Sequence, residues 1–213
     1  MFERNLTRRE VKLIESIAEF IEVKHRDEKA HDYAHVLSVV NYSILIAQAI
    51  PDEVDPFVLV CSAFFHDIGW IGTVTGIMHG LRGATIADEY FASTWVSPEV
   101  RDRIKRVIVR HTITSGLPPE TAEEKILWDA DGLAGLGLLG MLRGIIGGVG
   151  SMGEILEACL RFAGKHFERL YYDESRRIGK ELHAETEEMI RRFEVAMAER
   201  KEHIADLHLP VPD

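Results

Sequence analysis

The apolar run Pro56–Phe65 ends on an imidazole and a carboxylate, His66-Asp67, and Ile68-Gly69 follows as a stop. A charge at the end of a segment that wants burial is costly unless it is paired or bound to a cation. Neighbouring helical residues point about 100° apart, so the pair converges on one object only where the helix ends and the object is small. A metal ion meets that description. His35 and Asp131 extend the set to two imidazoles and two carboxylates. Mixed nitrogen and oxygen donors suit magnesium or a divalent first-row metal better than a structural thiolate zinc site. Such a site keeps positions open for water or a phosphate oxygen, and water held there becomes a nucleophile near neutral pH.

His79 and His111 decide how many ions follow. Turned inwards, they would complete six donors, enough for two metals. Otherwise they serve a single metal as proton donors or phosphate contacts, with pKa values suited to neutral pH. The single-metal arrangement is the preferred reading. Arg110, Lys125 and Lys165 are the candidate phosphate contacts.

These residues must be positioned by helices. Thr7 and Glu10 have capping-box spacing, and Val11, Ile14, Ile17, Ala18 and Ile21 recur at helical spacing over 7–24. A second helix over 34–50 places His35 in its first turn, after the lead-in His31-Asp32-Tyr33, and Pro51 ends it. Pro56 opens the third. Residues 72–80 read as a loop that contains His79, followed by a helix over about 82–94. Ser97-Pro98 starts the next, whose apolar face Val100, Ile104, Val107 and Ile108 continues to His111. Thr121–Trp128 reads as a short helix running into Asp129-Ala130-Asp131, with Asp129 as a cap or ligand support. Leu133, Leu136, Leu139, Leu142 and Ile145 outline an apolar helix, and 144–153 a glycine-rich mobile loop. Helices over 154–171 and 176–202 follow, with a loose tail holding Pro210 and Pro212. No stretch alternates at period two. The expected fold is all-α, a single-domain helical bundle over 1–213, with the metal-site core over about 30–140 and C-terminal helices 151–204 packed on it.

The net charge of −10 argues against nucleic acid or an anionic membrane as partner. Cys61 and Cys159 sit inside apolar helical patterns and read as core thiols of a reducing compartment. Met1–Asn5 has no apolar signal core, and no stretch reaches the roughly 18 apolar residues of a membrane span. Leu133–Val149 comes nearest but is broken by glycines and Arg143. A cytoplasmic monomer or homodimer is the expectation.

The order, spacing and helical context of His35, His66-Asp67-Ile68 and Ala130-Asp131-Gly132-Leu133 resemble the HD-domain metal-dependent phosphohydrolases over roughly residues 30–140. The resemblance implies an HD-type helical fold and one divalent metal (Mn, Mg, Zn, Ni or Fe) on His35, His66, Asp67 and Asp131. It selects Asp131 over Asp129 because the last ligand stands in an Ala-Asp-x-Leu motif. It implies hydrolysis of a small phosphorylated substrate, a nucleotide or relative; Asp67, with His79 and His111 as read above, is the expected catalytic group. Val109-Arg110-His111, Glu124–Asp131 and Lys165–Leu170 are similar to a branch of small stand-alone members that includes bacterial nucleotide pyrophosphohydrolases. Two departures stand out. No acid follows the His-Asp pair in Ile68-Gly69-Trp70-Ile71-Gly72, which disfavours a guanosine-tetraphosphate hydrolase. Gly132 and Ala134-Gly135 replace the basic and acidic residues usual after the last aspartate. The alternatives are a di-iron oxygenase on the same fold, with His79 and His111 holding the second metal, and a non-catalytic metal-stabilised binding module.

Overall fold

The structure, a computed structural model, describes residues 1–29, 31–73 and 76–207. The expected tail with Pro210 and Pro212, and Val74 and Thr75 of the expected loop, lie outside the described residues.

The helix α3 (Pro56–Phe65) is the axis of the molecule, and every one of its residues is buried. Asp55 caps it by accepting from the Phe57 and Val58 amides, and Pro56 occupies the first turn, where no amide partner is needed. The buried Asp55 carboxylate is balanced by Arg4 (3.0 Å) and Arg103 (3.1 Å). Helix α1 (Arg8–His25), with the Thr7–Glu10 capping box, packs on α3, as does α2 (Tyr33–Ala49), which Asp32 caps through the His35 amide. A 3-10 turn, Ile68–Trp70, follows α3 and leads towards α4 (His79–Ala92). Helix α5 (Pro98–Arg110) pairs with α4 and covers the other side of α3. Helix α6 (Ala122–Ala134) lies along α2. The helices α7 (Gly137–Gly147), α8 (Met152–Glu168) and α9 (Asp173–Asp206) pack mainly on one another, with α9 and α8 touching α6. Among the described residues these nine helices account for the regular structure; there is no strand, only an isolated bridge between Phe2 and Val54. The fold is all-α.

Several boundaries differ from the periodicity reading. Helix α4 begins at His79, so that histidine opens a helix instead of sitting in a loop. Helix α6 does not stop at Trp128 but continues to Ala134, because both of its aspartates have partners. Asp129 accepts from the Tyr171 and Tyr172 amides at the start of α9 (2.7 and 2.9 Å), and Asp131 faces His35. The apolar stretch expected as one helix from Leu133 is broken: Gly135 caps α6, Gly137 turns the chain with φ +67°, and α7 leaves at 73° to α6. Helix α7 then runs to Gly147, which shortens the expected loop 144–153. No single described helix is long and apolar enough to cross a membrane. Cys61 and Cys159 are free and buried.

Candidate metal centre

Four helix ends and one helix face meet at Asp67. His66 is the C-cap residue of α3 and His111 that of α5; His79 starts α4; His35 stands in the first turn of α2; Asp131 projects from α6. The close approach of α4 depends on Gly69, where a Cβ would lie 1.9 Å from the His79 carbonyl oxygen. Met78, just before His79, is the one described non-glycine residue with a left-handed backbone (φ +60°). His35 and His66 are fully buried, Asp67 and His79 nearly so, and Asp131 retains 27% side-chain exposure. The cluster therefore opens on the Asp131 side.

The hydrogen bonding fixes which nitrogens face inwards. His66, His79 and His111 each donate Nδ1–H to the carbonyl three residues back: Ala63 (2.7 Å), Gly76 (2.8 Å) and Ile108 (2.6 Å). In a neutral ring so anchored, Nε2 carries a lone pair. The Nε2 atoms of His79 and His111 face each other at 3.1 Å, 3.4 and 3.7 Å from Asp67 Oδ1. His66 Nε2 faces His35 Nε2 at 3.2 Å, and these lie 3.3 and 3.1 Å from Asp67 Oδ2. Asp131 Oδ1 is 3.3 Å from His35 Nε2. Burial alone would raise the Asp67 pKa; the surrounding His66, His111, His31 and His35 imidazoles outweigh it and hold the carboxyl well below the usual carboxylate range. Asp131 behaves likewise, with His35 overcoming desolvation. Burial and the neighbouring His111 push His79 down, towards the neutral ring. Charged carboxylates and converging lone pairs repel one another unless a cation lies among them, and this donor set fits a divalent ion. His35, His66 and Asp131 form one group that could hold it; Asp67, His79 and His111 form another, and His31, His35 and Asp67 a third.

The structure thus brings together His35, His66, Asp67, His79, His111 and Asp131. It does not bring the expected phosphate contacts to them. Arg110 is spent on the start of α6, pairing with Glu120 (2.9 Å) and the fully buried Glu124 (3.9 Å) and donating to the Pro118 carbonyl. Lys125 is half-buried on α6 and Lys165 exposed on α8, and neither lines the cavity beside the cluster. That cavity, about 460 Å³, has His31, Arg143 and His166 among its lining residues.

These three were missed as site residues. The His31 ring turns to the site: Nδ1 sits 2.7 Å from Asp67 Oδ2, and the ring stacks on Trp70 at 4.4 Å. Trp70, in the acid-free turn that follows the His-Asp pair, also packs on His79 (5.1 Å). His166 fills the space that Gly132 and Gly135 leave; a Cβ at Gly135 would lie 3.3 Å from its ring. Burial lowers the His166 pKa, with Asp131 opposing. Burial also lowers that of Arg143, opposed by Asp131, Asp67 and Asp32. The available signal for Arg143 was its place as the lone charge in the apolar stretch Leu133–Val149.

Comparison with known proteins agrees with this geometry. The HD domain family matches residues 32–136. No curated protein matches the sequence. Among solved structures, the fold is similar to Bacillus subtilis YpgQ in complex with ADP (21% identity, 88% of this chain and 96% of that chain, TM-score 0.66). It is similar to the Listeria innocua protein Lin1889 (21% identity, 87% and 95%, TM-score 0.65). A Lactobacillus plantarum protein aligns over 91% of this chain and 99% of its own (13% identity, TM-score 0.72).

Proposed function

From the premise that this chain carries an HD domain over residues 32–136, we propose that it is a metal-dependent phosphohydrolase cleaving a phosphate ester or anhydride of a small nucleotide-like substrate. The observation that carries the reading is the convergence of inward-facing Nε2 atoms on both oxygens of one buried carboxylate, Asp67. His35, His66, Asp67 and Asp131 would hold the ion. A divalent cation supplies Lewis-acid polarisation of a phosphoryl oxygen and a water made acidic enough to ionise near neutral pH. The surrounding imidazoles hold the Asp67 carboxyl well below the usual carboxylate range, which favours the charged form that a cation needs. His31, its ring stacked on Trp70, holds that carboxylate from the cavity side, and the Nδ1 anchors of His66, His79 and His111 prevent ring rotation. A neutral His79 or His111 can accept a proton at Nε2 and return it to a leaving oxygen. The ADP held by the similar YpgQ structure supports a nucleotide as the substrate class.

In a second reading two ions would be held, one by His35, His66 and Asp131 and one by His79 and His111, with Asp67 available to both. It is favoured by Asp67 Oδ1, which faces His79 and His111 while Oδ2 faces His35 and His66. In that case His79 and His111 are ligands and the proton must move elsewhere.

Elemental mass spectrometry of protein purified without added metal separates the two, at about one or about two ions per chain, and a nucleotide panel read by phosphate and pyrophosphate release tests the activity. Asp67→Ala should lose the metal and at least about a thousandfold in kcat/KM while keeping its helical circular dichroism. A folded Asp67→Ala protein with full metal and full turnover would sink the assignment.

A further inference from the structure

The cavity beside the cluster has two unlike ends. At the metal end stand His31, Arg143 and His166, in the fields of Asp67 and Asp131. Beyond them the lining turns apolar, with Met141, Ile155, Ala158 and Phe162. Arg143 donates to the Ala134 carbonyl (3.4 Å), and the remaining polar side chains bond to the surrounding helices and caps. The Thr186 hydroxyl donates to the Leu182 carbonyl and accepts from the Gly137 amide. Glu154 is tied to the Ser151 amide and hydroxyl, where it completes the capping box of α8. The Cys159 thiol faces the Met141 carbonyl. A volume of about 460 Å³ is in the range that holds a compact organic ligand.

A pocket that hydrogen-bonds its ligand's edge can reject analogues by about 10⁴-fold or more, whereas apolar contact alone discriminates by about 10–200-fold. Resting on the phosphohydrolase reading above, we infer that the α7–α8 cavity holds the non-phosphoryl part of the substrate by apolar contact and does not read its hydrogen-bonding edge, while Arg143 contacts the phosphate chain at the metal end. The shared chemistry is a diphosphate or longer phosphate chain on a flat or apolar body. That body could be a nucleoside or an alkyl chain. Gly140 and Gly144 let α7 approach its neighbours closely along this wall: a Cβ would fall 2.2 Å from the Gly135 carbonyl carbon and 2.6 Å from Cys159 Sγ respectively. Gly132 and Gly135 give up the polar positions of the similar branch and leave room for His166.

The test is calorimetric binding of ADP, CDP, GDP, UDP and geranyl diphosphate to the metal-loaded protein, beside steady-state hydrolysis of the four nucleoside triphosphates and inorganic tripolyphosphate. The expected result is Kd and kcat/KM values within about tenfold across the four bases, geranyl diphosphate competing with them, and tripolyphosphate at least about a hundredfold poorer in kcat/KM. Phe162→Ala should raise KM for every base alike by about tenfold with kcat little changed, since Phe162 is half-exposed on the cavity's rim and its loss leaves the core intact. Arg143→Gln should raise KM for all phosphates, and Arg143→Lys should recover part of the loss. Discrimination above about a thousandfold between bases, tripolyphosphate as good as a nucleotide, failure of geranyl diphosphate to compete, or an inert Phe162→Ala would overturn the inference. Base-indifferent binding without hydrolysis would overturn the phosphohydrolase reading and leave the cavity assignment standing.

Discussion

On the α3 side of the site, His35 and His66 have no exposed side-chain surface, and each inward ring is flanked by helix ends that pack through backbone contacts. Across the cavity, α7 turns glycines inwards and leaves Leu138, Leu139, Leu142, Ile145 and Ile146 between 41% and 57% exposed. The first wall is part of the main apolar core. The second leans on a small cluster, Met141, Leu156 and Ile190. The histidine and aspartate donors therefore sit where packing over-determines position, and the α7 wall of the cavity sits where little packing is lost if it moves. Metal geometry demands the former, to a fraction of an ångström, and admission of a ligand demands the latter.

One pair of substitutions sets the two walls against each other. At Gly69 an added Cβ would meet backbone on both sides, His79 O at 1.9 Å and Gly83 N at 2.7 Å. Neither can yield without moving α4, so Gly69→Ala should destabilise by about 3 kcal/mol or more and reduce metal content, read by urea denaturation and elemental analysis. At Gly144 the clash is with one thiol, Cys159 Sγ at 2.6 Å, on a helix with few anchors. Gly144→Ala should cost less than about 1.5 kcal/mol, because alanine also recovers about 1 kcal/mol of helix propensity. Equal costs at the two sites would erase the distinction.

The same contrast explains what could be read from sequence. The residues that converge on Asp67 were legible because most of them lie at helix ends, marked by the proline, cap and apolar-run signals around Pro56, Asp32 and Ser97. Periodicity also gave the all-α fold and the α1, α2, α3 and α5 boundaries to within a residue or two. It failed where a side chain's meaning depends on a partner far along the chain. Asp129 looked like a helix stop because its partners, the Tyr171 and Tyr172 amides, are about forty residues away. Arg110 looked available because its carboxylate, Glu124, could not be assigned to it from spacing. The α6–α7 break lay hidden inside a continuous apolar pattern, and the exposure of the α7 leucines shows that the pattern there did not report burial.

A smaller effect reads the contrast without substitution. Hydrogen exchange should find α3 amides opening only with global unfolding, and α7 amides exchanging at least about a hundredfold faster through local opening. Substrate or a non-hydrolysed analogue should slow α7 and leave α3 unchanged. Equal protection of both helices in the free protein would mean that α7 is as firmly held as the core.

The smallest effect lies within the rigid wall. His25, at the end of α1, is fully buried, donates Nδ1–H to the His31 carbonyl, and has no hydrogen-bond partner at Nε2. Burial lowers its pKa below the ordinary histidine value, with the His31 carbonyl only partly opposing. The unfolded chain, with its imidazole near pKa 6.5, binds this proton more readily than the folded one. Stability from a neutral His25 is therefore complete above about pH 6.5 and is lost as pH falls through that value towards the depressed folded pKa. His25→Gln keeps a donor for the His31 carbonyl and removes the titration. Urea midpoints of the metal-free protein between pH 7.5 and 5.5 should fall less steeply for the variant than for the parent. His166, whose pKa is also lowered by burial, adds to the slope in both proteins and so cancels in the difference. An identical slope in the two proteins would mean that water reaches His25, and that the packing beneath His31 is looser than the metal wall requires.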